Sequence, residues 1–117
     1  MASKYRVNDD GVAKARQMID SNQYDLETEW GDAAPSSEQS NEKIDRDGYD
    51  GYGEWHLALD TEASEETKDR YAFPFGDFHR VVRSGLIAAK QRAAQNEHDA
   101  VEKAADELLA HLDGVRS

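Results

Sequence analysis

Apolar side chains at Val12, Ala15 and Ile19 stand three and four residues apart, with Met18 beside them. That spacing predicts a first helix of about three turns, ending near Ser21. Asn8-Asp9-Asp10 precedes it, bringing side-chain oxygens for capping and negative charge for the positive end of the helix. The period then drops to two: Tyr24, Leu26, Thr28 and Trp30 alternate with Asp25, Glu27 and Glu29, as in a strand. Glu54 to Asp60 alternates again, with Trp55, Leu57 and Leu59 on one side, and is expected to pair with 24–30. Ser64-Glu-Glu-Thr-Lys68 reads as the capped start of a short helix that ends near Arg70.

The helical period returns at Phe78, Val82, Leu86, Ala89 and Ala93, and once more at Val101, Ala105, Leu108 and Leu112, with Gly114 as a stop. Two helices follow one another here, and Phe73-Pro74-Phe75 is expected to pin the open end of the hairpin. Gly85 inside the first costs roughly 1 kcal/mol against alanine, which points to a close approach by another backbone. Ala88-Ala89 and Ala93-Ala94 point the same way, toward tight packing on the first helix or on a second subunit.

Between Gly31 and Gly53 the pattern fails. Pro35, a serine-rich run and Gly48, Gly51 and Gly53 surround a single larger aliphatic residue, Ile44. Such a segment buries too little to offset its ordering entropy, so a mobile acidic loop is expected over 31–53. The fold class is therefore mainly α. One small domain over 1–117 carries a C-terminal helical hairpin and at most two short strands. The expected core is Val12, Ile19, Trp55, Leu57, Leu59, Phe73, Phe75, Phe78, Val82, Leu86, Val101, Leu108 and Leu112, with Trp30 at least half buried.

Composition sharpens this picture. At 117 residues, 38% hydrophobic and a mean hydropathy of −0.92, the core must be small and the polar surface large. No apolar run approaches the roughly 18 residues of a membrane span. Met1-Ala-Ser-Lys-Tyr-Arg6 has no apolar stretch of the secretory kind, and a cytoplasmic location is expected. Cysteine is absent, which excludes disulfides and thiolate chemistry. The net charge of −11 is unevenly laid out: residues 68–92 hold six Lys or Arg against two acids, between two acidic arms. This basic island is expected to be neutralised by the acidic half of its own fold. Aspartate outnumbers glutamate and lysine is scarce, a balance that keeps proteins soluble at high salt and points to a halophilic source.

Candidate chemistry is sparse. Aligning Gly48 with the sixth position of a calcium loop places Asp45, Asp47 and Glu54 at ligand positions, but Lys43 stands where the first carboxylate belongs. His56, His79, His98 and His111 include no pair at the spacing that puts two ligands on one helix face. Ser84-Gly85 lacks the first glycine of a nucleophile elbow, and no lysine-serine pair closes the Gly48-to-Gly53 stretch into a phosphate cradle. No catalytic, cofactor-binding or metal-ligating set is predicted.

Tyr71-Ala-Phe-Pro74, the Gly76-Asp77 turn, the alanine-rich helix from Val82 to Ala94 and the second helix from Val101 to Leu112 resemble short helical modules of tailed phages and prophages. Those modules accompany head-maturation proteins, and the resemblance covers about 40% of the chain. It brings over none of the catalytic residues of the maturation proteases and leaves the N-terminal half unmatched. The leading expectation is a small acidic, non-enzymatic protein-interaction module, binding a protein partner or a second copy through the hairpin, with no nucleic acid and no membrane. Two alternatives belong to other classes. One is a small enzyme or metal-binding protein using His56, His79 and nearby carboxylates. The other is a nucleic-acid mimic that presents carboxylates to a basic protein.

Overall fold

The computed structural model describes residues 4–115; Met1 to Ser3, where the leader reading begins, lie outside the described residues. In chain order the elements are β1 (Tyr5–Val7), α1 (Asp9–Asp20), β2 (Tyr24–Asp25), α2 (Trp30–Ala33), α3 (Ser37–Gly53) and β3 (His56–Asp60). A 3-10 turn (Lys68–Arg70), β4 (Tyr71–Pro74), β5 (Val81–Val82), α4 (Arg83–Gln95) and α5 (Asp99–Val115) complete it. The fold is mainly helical, and among the described residues no helix is long and apolar enough to cross a membrane.

Helix α1 stands where the pattern puts it, but Asn8 does not cap it through its side chain. The Asn8 amide is buried and donates instead to the carbonyls of Gly53 and His56, both at 3.0 Å, tying the start of α1 to the start of β3. Asp9 and Asp10 supply the negative first turn. At the other end of the chain, Arg83 pairs with Asp113 and Lys90 with Asp106, which sets α4 and α5 antiparallel. Gly114 does not stop α5, which runs to Val115.

Among the described residues five short strands form where at most two are expected. β3 is the middle of a three-stranded antiparallel sheet, ordered β1-β3-β4, while β2 and β5 make a two-residue parallel pair. The segment 24–30 therefore does not pair with 54–60. Its alternation ends at Asp25, whose carboxylate accepts from the backbone of Glu27 and Thr28 and from the Thr28 hydroxyl, turning the chain into α2. The helix expected from Phe78 opens five residues later. Phe78 takes a positive φ of 69°, and the β-branched pair Val81-Val82 is extended and fully buried. The helix expected from Ser64 shrinks to the turn at Lys68–Arg70.

The largest departure is 31–53, which is helical rather than a loop. Ser36 accepts from the Gln39 backbone while the Gln39 side chain accepts from the Ser36 backbone, a reciprocal capping box. Lys43 and Asp47 add an i,i+4 ion pair. Gly48, at φ 76° and ψ 177°, is not helical and divides α3 into two helical stretches joined across a kink. Ser36→Ala should cost about 1 kcal/mol, read as a shift in urea midpoint with an unchanged slope.

The core runs from α1 through β3 to the hairpin. Ile19, Leu57, Phe75, Val81, Val82, Leu86, Val101, Leu108 and Leu112 are fully buried. Val12, Leu59 and Phe78, expected in the core, are only partly covered. Trp30 is mostly covered, and it explains Gly85: a Cβ there would stand 2.8 Å from the indole of Trp30 and 3.1 Å from the Phe75 carbonyl. Ala89 and Ala93 are buried within the chain itself, so part of the small-residue stripe is used inside the hairpin.

Candidate functional site

Two ring clusters face a cleft of about 460 Å³ beside β4. Tyr52, His56 and Tyr71 form the first, with ring centroids 4.6 to 5.9 Å apart. Tyr5, Phe73 and His98 form the second, meeting edge to face at 4.9 to 6.0 Å. β4 joins them, contributing both Tyr71 and Phe73. Pro74, Arg92 and Asn96 extend the lining.

Local structure makes each placement possible. Gly53 ends α3 against Tyr71, where a Cβ would meet the ring at 2.3 Å, so only glycine lets the phenol lie there. Phe73 has a positive φ of 62° inside its strand, uncommon for an aromatic residue and strained on the order of 1–3 kcal/mol. That backbone coexists with the contacts of its ring to Tyr5, His98 and Arg92, whose guanidinium carbon lies 6.0 Å from the ring centre.

The electrostatics favour neutrality at the floor. Burial lowers the His56 pKa to about 4, outweighing backbone hydrogen bonds to Tyr52 and Gly53 that favour the charged form. The ring is therefore neutral at neutral pH, with Nδ1 3.1 Å from the Tyr52 carbonyl oxygen. Burial also raises the pKa of both Tyr52 and Tyr71, keeping the phenols protonated as hydrogen-bond donors.

Of the cations in the basic island, Arg80 meets Asp25 and Asp77, Arg83 meets Asp113 and Lys90 meets Asp106. Arg70 donates to the carbonyls of Asp60 and Ala63. Arg92 pairs with no carboxylate among the described residues and lines the cleft. Internal neutralisation thus accounts for much of the island and leaves this guanidinium at the cleft.

The residues singled out in the sequence are dispersed. His79 is exposed in the turn after Asp77 and does not line the cleft that His56 lines. His111 Nε2 contacts Asp20 at 2.7 Å and links α5 to α1. Asp47 is engaged by Lys43, the residue that interrupts the calcium pattern, and Glu54 is engaged by Lys14. Among the described residues no three His, Asp or Glu side chains gather as a metal site. A second cleft of about 520 Å³ is acidic, with Asp10, Asp47, Asp50, Glu65 and Glu66 around the kink in α3. The chain matches no family model, no curated protein and no solved structure.

Proposed function

We propose that this protein is a non-enzymatic protein-interaction module whose recognition surface is the aromatic cleft. The observation that carries this is the combination of two ring clusters with the Arg92 guanidinium, which has no carboxylate partner among the described residues. Aromatic and arginine side chains dominate binding energy at protein interfaces because they bring large contact area and directed hydrogen bonds at modest entropic cost. The lining offers recognition groups and no activated nucleophile: His56 is held neutral with one nitrogen engaged, and the phenols stay protonated. A binding partner is a protein segment with an aromatic or apolar side chain beside a negative group. A role in a prophage, as the C-terminal resemblance implies, is compatible with such a module.

The test is selection from a random peptide library, followed by amide shift mapping on the full chain. Enriched peptides should be aromatic and should move the signals of Tyr71, Ala72, Phe73, Arg92, Asn96 and His98. Selected peptides that bind while leaving these signals still would end this reading.

The helical state of α3 gives the acidic face a second reading. Mimicry of nucleic acid needs carboxylates on an ordered surface, and α3 places Asp47 and Asp50 on one. A basic DNA-binding protein should then compete with duplex DNA for this face. Binding that is insensitive to Asp47→Asn with Asp50→Asn would remove the idea.

A further inference from the structure

We propose that the aromatic cleft takes the C-terminal end of a partner chain, seating an aromatic last side chain between the ring clusters and its terminal carboxylate on Arg92. The inference rests on the reading of the cleft as a recognition surface and goes further by naming which part of the partner enters.

Charge complementarity supplies the first argument. Arg92 brings a planar fork of donors suited to a carboxylate, and Arg83 and Lys90 on the same helix are already matched to acids. Asn96 and His98 stand beside it in the lining as further polar groups. The neutral state of His56 means that the floor adds no second positive charge. One anionic group is therefore the match. A polyanionic segment would also have to approach a chain of net charge −11, which repels it.

Backbone geometry supplies the second. β4 is an edge of the three-stranded sheet, and an edge strand ordinarily accepts a passing segment as one more strand. Here Pro74 has no N–H to offer, and the left-handed Phe73 breaks the pleat. A chain running through the cleft would find no regular ladder, so entry end-on is favoured. The volume, about 460 Å³, lies in the range of ~300–1,000 Å³ typical of ligand clefts and suits a few residues rather than a long strand.

The experiment uses the full chain and a short peptide ending in phenylalanine, with its terminus either free or amidated, titrated by calorimetry and mapped by amide shifts. The free acid should bind in the cleft, and amidation should weaken it at least about ten-fold, the scale of a lost charge-assisted hydrogen bond. Arg92→Gln lies at an exposed position and should weaken the free acid by a similar factor while weakening the amide much less. Lys103→Gln, on the exposed side of α5, removes the same charge elsewhere and should change neither. Equal binding of acid and amide, with shifts at Tyr71, Phe73 and Asn96, would overturn the chain-end assignment and leave the cleft a recognition surface. Absence of cleft shifts with both forms, and with the library-selected peptides, would overturn both. Equal weakening by Arg92→Gln and Lys103→Gln would reduce the effect to net charge and also overturn the assignment.

Discussion

Gly11→Ala should unfold this protein or cost it at least about 4 kcal/mol, although alanine in a helix normally gains about 1 kcal/mol over glycine. Gly11 lies in the first turn of α1, facing β3. A Cβ there would stand 1.8 Å from the carbonyl oxygen of His56 and 2.9 Å from its carbonyl carbon. Both are backbone atoms of a central strand, so no rotamer change relieves the overlap. The alternative is for α1 to back away from β3. That breaks the Asn8 amide bonds to Gly53 and His56 and uncovers Ala15 and Ile19, each completely buried. Losing paired polar groups and apolar cover together places the substitution in the severe tail of point mutations. Gly114→Ala is the control. Nothing lies within 4 Å of a Cβ there, and the residue is helical, so the change should be neutral or gain up to about 1 kcal/mol. Urea melts of the three proteins decide it. A wild-type midpoint for Gly11→Ala would mean that α1 and β3 are not this close.

Helices α1, α4 and α5 were legible because their apolar residues repeat every three or four positions and most of those positions become the core, Val12 and Phe78 being only partly covered. β3 was legible as a strand from its period of two, although both of its faces are covered: His56, Ala58 and Asp60 are buried as well as Leu57, and Leu59 is the least covered. Helix α3 hid because it is held by other means: a capping box at Ser36 and Gln39 and an ion pair between Lys43 and Asp47, with only Ser40, Tyr52 and Gly53 buried along it. The serine-to-glutamine spacing from Ser36 to Gln39 is a start signal readable in sequence, yet the three following glycines outweighed it. β1, β4 and β5 span three, four and two residues, too few for any period to register. The cleft was least legible of all. Its lining comes from Tyr5, from 52–56, from 71–74 and from 92–98, stretches that only the fold brings together. The one local trace is Tyr71-Ala72-Phe73, where two rings alternate just before the Phe73-Pro74-Phe75 run expected to pin the hairpin.

Stability should fall with acid between pH 6.5 and 4, and His56 should be the cause. Its folded pKa, about 4, lies below the ordinary 6.5, because a charged imidazole at 4% exposure loses its water. In that window the unfolded chain binds a proton that the folded chain refuses, so unfolding stability rises with pH and declines as acid is added. The contribution is complete above pH 6.5 and is lost as pH falls toward 4, amounting to about 3 kcal/mol. The carboxylates act lower down. Asp25 is brought to about 2, first by the Thr28 hydroxyl and then by backbone N–H groups, and Asp47 and Asp60 are also lowered below 3.8. Their stabilisation is present above pH 3.8 and disappears beneath it, outside the histidine window. His56→Gln keeps a polar side chain that can donate to the Tyr52 carbonyl but cannot titrate. Urea melts at half-unit steps from pH 7.5 to 4.5 should therefore show a slope in the wild type that is largely removed in His56→Gln. Parallel slopes in the two proteins would assign the acid sensitivity to other groups and would contradict a neutral His56 at the floor of the cleft.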